Sequence, residues 1–172
     1  MERSKCAAVA ELSAEKALIS LIASYLNGEN VDEEVYRSIG VPALLALSKR
    51  WSLEVITLDA LEAQHIFDQE ELKAWAERRQ RLQVQSVVQQ GEAQALKKLF
   101  VERGLHVLPL KGYYMKGMYP KPEQRQMCDL DFLLGEQEME QARALMEGRG
   151  YVTEHFQEGN HDNYRKKPFL YV

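Results

Sequence analysis

Two carboxylates one residue apart open an apolar run at Gln126 to Leu134, Gln-Met-Cys-Asp-Leu-Asp-Phe-Leu-Leu. Side chains on a strand alternate faces, so Asp129, Asp131 and Leu133 point one way and Cys128, Leu130, Phe132 and Leu134 the other. The two acids then share a face with their backbone positions roughly 6.6 Å apart. At that spacing both side chains can converge on one divalent cation or on a pair of them. Upstream, Lys111-Gly112 ends a second apolar run. Glycine lets backbone come close to a phosphate, and N–H groups where the next helix begins favour an anion. Lys111 and Arg125 add positive charge, and the carboxylates supply hard oxygen ligands for Mg2+, which binds phosphate oxygens at the same time. Taken singly, none of these pieces is specific. Two acids one residue apart also arise by chance in an acidic chain, as solvated residues at the mouth of a strand.

The elements that must hold these residues are legible from periodicity. Ser13 to about Leu26 is an amphipathic helix capped by Ser13 and stopped by Asn27-Gly28, and Asp32 begins a short helix that Gly40 ends. Pro42 opens a helix through Trp51, and Leu53 to Phe67 forms another. Gln69 to Arg103 reads as one long helix or two in line, its apolar set including Leu72, Trp75, Val84, Val87, Val88, Leu96 and Phe100, with Gly91 a place for a bend. After Gly104 the pattern changes to short apolar runs. Leu105 to Leu110 is a buried strand, Tyr113 to Tyr119 a helix-like turn, and Pro120 and Pro122 enforce a loop before the acidic strand. Glu136 to Gly148 is a helix, and Tyr151 to Phe156 and Tyr164 to Val172 are strands joined at Glu158-Gly159-Asn160. The expected organisation is a helical region over 1–104 and an α/β core over 105–172.

Composition narrows the partners. The 172 residues carry 22 Lys and Arg against 26 Asp and Glu, a formal charge of −4, which gives no bulk field for nucleic acid or an anionic membrane. Cys6 and Cys128 form no CxxC pattern, so they read as reduced thiols in a cytoplasmic protein. Isolated His65 and His106, and Trp51 and Trp75, fit packing better than ligation. No window approaches the roughly 18 apolar residues of a membrane span.

The order of the chemical residues resembles a known family. Leu-Lys-Gly at 110–112, Tyr119-Pro120, Arg125 and Asp-Leu-Asp-Phe-Leu-Leu at 129–134, followed by a helix and Gly150-Tyr151, are similar to the nucleotidyltransferase family of the polymerase-beta-like superfamily. The resemblance implies an α+β fold, a helical bundle followed by a nucleotidyltransferase α/β core with a small mixed sheet. It also implies that Asp129 and Asp131 are the catalytic metal ligands, for a pair of Mg2+ ions, and that Gly112 starts the triphosphate-binding turn together with Tyr113. Lys111 and Arg125 match the family motif, and phosphate contact is the role their charge suggests. Two departures stand out: Tyr113 replaces the small residue usual after that glycine, and the third carboxylate expected on a later strand is missing from Phe169 to Val172. Glu154, Glu158 and Asp162 are poor substitutes, and the expectation is that the acid follows Val172 in an incomplete core.

Other acid-x-acid chemistries fail on order. Haloacid dehalogenase phosphatases place the pair after the apolar strand, and Asp-x-Asp glycosyltransferases place it after a nucleotide-sugar-binding α/β half, where this chain is helical. The expected function is therefore Mg2+-dependent transfer of a nucleoside monophosphate from an NTP to an acceptor hydroxyl. A small molecule or a protein suits the acidic balance better as acceptor than a long nucleic acid does. The competing expectation is a non-catalytic nucleotidyltransferase-like module fused to a helical partner-recognition region.

Overall fold

The structure, a computed structural model, describes residues 13–156, 161–168 and 170–172. Cys6, the Glu158-Gly159-Asn160 turn and Phe169 lie outside them. The chain divides into two compact units, 1–82 and 83–172, with the division inside one long helix. Gly104 instead marks the change from helix to short strands.

In the first unit α1 (Ala14–Asn27) starts where the Ser13 hydroxyl accepts from the Lys16 N–H and ends at Gly28, whose φ of +70° glycine adopts without strain. Asp32 caps α2 (Glu33–Ile39) through the Glu34 N–H, and Pro42 sits in the first turn of α3 (Val41–Arg50). The fourth helix, α4 (Glu54–Ala63), is buried from Glu54 to Leu61 and carries little amphipathic bias, the signature of a helix surrounded by others. Around it Ala17, Leu21, Tyr36, Leu44, Ile66, Leu72 and Trp75 form the core. Burial at the polar end of α4 is compensated: Trp75 Nε1 donates to the Glu54 carbonyl at 3.0 Å, and the Glu54 carboxylate pairs with Arg78. Trp75 is thus a packing anchor, whereas Trp51 is only half-buried and His65 is exposed in a turn at φ +54°.

Helix α5 (Gln69–Glu102) runs without interruption through Gly91, so no bend occurs there. In the second unit its buried stripe is Ser86, Gln89, Ala93, Leu96 and Phe100, spaced three and four residues apart. Val84, Val87 and Val88, expected to face inward, are 57%, 69% and 40% exposed. This stretch buries its polar side and exposes its apolar one.

The remaining elements are β1 (Leu108–Pro109), the single turn α6 (Gly112–Met115), β2 (Phe132–Leu133), α7 (Met139–Gly148), β3 (Val152–His155), β4 (Asn163–Lys166) and β5 (Leu170–Tyr171). The fold is α+β, as the sequence implied. Its ladders among the described residues are antiparallel where a mixed sheet was expected: β1 with β2, and β3-β4-β5 in sequence order. The expected single strand from Tyr164 to Val172 is two strands separated by a turn at Lys167-Pro168, because proline has no N–H to give a ladder. Leu96, Phe100, Leu105, Ala142, Met146, Tyr151 and Tyr164 make this unit's core, with Phe132 packed on it and edge-on to Phe100 at 6.0 Å. At its edge Glu92 accepts both Arg149 Nε and Nη2 at 2.7 Å and the Tyr151 hydroxyl at 3.1 Å, tying α5 to the end of α7 and the start of β3.

Candidate functional site

The acid pair lies just before the ladder rather than inside a long strand. Only Phe132 and Leu133 form β2, but backbone bonds extend the ordered stretch back through the acids. The Leu110 N–H donates to the Asp131 carbonyl at 2.9 Å, and the Leu130 N–H donates to the Tyr171 carbonyl at 2.8 Å. The peptides on either side of the Leu130-Asp131 link are thus tied to the end of β1 and to β5. Leu130 is buried, Asp129 is exposed and Asp131 is half-buried, so the two acids do share the face opposite the core. Leu133 follows them outward, and its cross-strand partner Leu108 is exposed as well. Cys128, expected on the inward face, is exposed, since the extended stretch begins after it.

The Leu110–Asp131 bond sets Lys111 and Gly112 beside the acids. Lys111 takes φ +26° and ψ −93°, a backbone conformation disfavoured for any residue but glycine, and its ammonium lies 3.9 Å from Asp131 Oδ2. Both side chains are well solvated, so this is a loose pair. The glycine next door is needed for space and not for its φ. A Cβ at 112 would stand 2.7 Å from the Met127 Sδ, and the methionine side chain would have to swing away to admit it. Tyr113 begins the turn with its N–H on the Leu110 carbonyl and stacks edge-on against Tyr114 at 5.2 Å.

Arg125 directly follows the 3-10 turn Pro122–Gln124. Its Nε is buried with no acceptor among the described residues, and its charge is felt by Lys116. Lys116, which periodicity did not single out, is 3% exposed and donates to the Ser86 hydroxyl. Burial first, and the Arg125 cation second, hold its amine below the usual lysine range, while Glu123 pulls the other way. The available signal was the α5 stripe itself, where Ser86 and Gln89 fall in register with Ala93, Leu96 and Phe100.

On the other side of the acids is a cavity of about 720 Å³. Asp129, Asp131, Glu154 and Asp162 line it together with apolar groups such as Phe132 and Met146, and among the described residues no Lys or Arg does. Lys111, Gly112, Tyr113 and Arg125 are not part of it. Tyr164, also in its lining, has its hydroxyl pushed up to about 12, by burial foremost and then by the Asp162 carboxylate. Glu154 pairs with Arg165 at 2.9 Å. Although Glu154 and Asp162 share the cavity with the acid pair, no cluster of three or more His, Cys, Asp or Glu able to hold a metal forms among the described residues. His106, expected as a packing residue, has a 94% exposed side chain whose Nδ1 meets Glu138 at 2.9 Å.

Among the described residues no helix is long and apolar enough to cross a membrane. No curated protein and no solved structure matches the chain. A family model described as an uncharacterised nucleotidyltransferase matches residues 38–170. That span contains the whole Lys111-to-Asp131 arrangement together with most of the helices before it, and the chain belongs to this nucleotidyltransferase family.

Proposed function

We propose that the chain carries out Mg2+-dependent transfer of a nucleoside monophosphate from an NTP to an acceptor hydroxyl, with release of pyrophosphate. The observation that carries this reading is the backbone bond from Leu110 to Asp131, which joins the Lys111-Gly112 turn to two aspartates flanking a buried leucine. Mg2+ commonly takes only one or two protein carboxylates and fills its shell with phosphate oxygens and water. Asp129 and Asp131 fit that donor set, on one solvent-facing side of the chain. When bound, the metal supplies Lewis-acid polarisation of the phosphates and neutralises charge that develops on them.

The chain's own residues divide the remaining work. The turn at Gly112 and Tyr113 would receive the triphosphate, and Lys111 can leave its loose pairing with Asp131 to meet a phosphate oxygen. Arg125 supplies a planar fork of donors suited to phosphate. The acceptor then belongs in the cavity beyond the acids, whose carboxylates Asp129, Asp131, Glu154 and Asp162 favour a neutral or cationic group over a polyanion. A small molecule or a protein side chain meets that requirement, and a long nucleic acid does not.

Calorimetric titration of Mg-NTP tests the assignment. The Asp129→Asn protein should bind at least about tenfold more weakly than the unaltered chain, because one of two anionic ligands is lost. Equal affinity would refute the metal-ligand role.

A second reading is favoured by one observation, the lack of a third acid gathered with the pair among the described residues. In it the chain binds a nucleotide without turning it over and serves as a recognition module. Incubation with each Mg-NTP and analysis for pyrophosphate release separates the two, since only the enzyme yields it.

A further inference from the structure

The segment between the Gly112 turn and the acids buries the wrong residue for packing alone. In the single 3-10 turn Lys116–Met118, Met118 is 80% exposed while Lys116 is 3% exposed. Tyr114 and Met115, just before it, are exposed too. A turn selected only for packing would present the methionines inward and leave the ammonium in water, because a buried charge is costly unless well compensated.

The compensation here is thin. The Ser86 hydroxyl offers Lys116 a lone pair but no charge. Arg125 brings a second cation close enough to disfavour the first, and Glu123 offsets it only in part. The Arg125 Nε, fully shielded from solvent, meets no acceptor among the described residues. Of the neighbouring amides, Gln124 Oε1 already accepts from the Lys121 N–H at 3.3 Å, and Gln89 donates through Nε2 to the Met127 carbonyl at 3.2 Å. The observations that call for an anion are a lysine buried against a neutral hydroxyl and an arginine N–H shielded from solvent without an acceptor, with the Arg125 charge acting against Lys116 as well.

We propose that Lys116 and Arg125, with the Ser86 hydroxyl, form an anion subsite for a phosphate or pyrophosphate group. This rests on the nucleotidyltransferase reading for its source, the tail of the NTP. The division of labour follows from chemistry. Arg125, only partly buried, meets the entering anion with its planar donors, and Lys116 adds a point charge held in place by Ser86. The inward polar stripe of α5 is then part of the site's wall and not a flaw in the core.

The test is calorimetric titration of metal-free inorganic pyrophosphate into the full chain, so that the aspartates play no part. Binding is expected, weakened about tenfold or more in Lys116→Met and Arg125→Gln and a few-fold in Ser86→Ala. Circular dichroism checks each variant's fold. Should Lys116→Met fail to fold, Arg125→Gln and Ser86→Ala carry the test, the first altering a partly exposed side chain and the second deleting one oxygen. Wild-type affinity in both folded variants overturns the subsite. A chain that binds Mg-NTP but not pyrophosphate overturns it too, while leaving the nucleotide reading intact. Pyrophosphate binding without Mg-NTP binding upholds the subsite and removes the nucleotide as its source.

Discussion

Lys111 combines a functional charge with a backbone conformation that an L residue resists. Its φ of +26° belongs to the region glycine occupies most easily, and holding a side chain there costs on the order of 1 to 3 kcal/mol. Replacement by glycine relieves that strain but gives back about 1 kcal/mol through the freer unfolded chain. Lys111→Gly should therefore be no less stable in urea unfolding, and up to roughly 2 kcal/mol more stable, while Mg-NTP affinity falls. A variant that is clearly destabilised, or that binds nucleotide undiminished, contradicts the assignment of a charge kept at a strained position for its chemistry. Gly112 makes a useful contrast, since its substitution meets only the movable Met127 side chain.

Among the elements, the second half of α5 inverts the usual rule. A helix face carrying Ser86 and Gln89 is buried and one carrying Val84, Val87 and Val88 is exposed. Gln89 is needed because its amide meets the Met127 carbonyl in a loop segment that has no ladder partner of its own there. Gln89→Leu should thus destabilise by about 1 to 3 kcal/mol, the cost of an orphaned carbonyl, although it makes the buried stripe more apolar. Val87→Gln, on the exposed side, should change stability by less than about 0.5 kcal/mol. Denaturant midpoints of the two variants measure this directly, and equal effects would mean the buried polar stripe is incidental. The same local inversion explains why apolar periodicity placed Leu96 and Phe100 correctly but Val84, Val87 and Val88 on the wrong side: hydrophobicity reports burial by packing, whereas Ser86 and Gln89 are buried against polar partners.

At the scale of the whole molecule, each unit has its own core and its own partly buried ion pairs. In the first, Arg79 serves Asp59 and Glu62, and in the second Glu92 gathers Arg149, Tyr151 and Lys166. The Arg149 hydrogen bonds, opposed in part by burial, hold the Glu92 carboxyl below the usual glutamate range. A depressed carboxyl stabilises fully above its unfolded pKa, about 4.3, and the contribution is lost as pH falls through the lower folded value. Glu92→Gln should accordingly cost about 2 kcal/mol at pH 7, and less as the pH falls below about 4. Urea unfolding at both pH values checks the sign, and a cost that grows on acidification contradicts it.

The sequence by itself determined the helical elements, their caps, the order of the Lys-Gly turn and the acid pair, and the family those residues resemble. These depend on local period, turn chemistry and spacing, all properties of neighbouring residues. It also determined that Asp129 and Asp131 share a face, because alternation about Leu130 requires only an extended backbone. Tertiary structure decided what that face meets: Lys111 beside Asp131, a carboxylate-lined cavity beyond, and Lys116 drawn inward against Ser86 from a helix 30 residues away. No local rule reaches across such a separation, and a lysine between methionines reads as a surface residue until the fold supplies its partners.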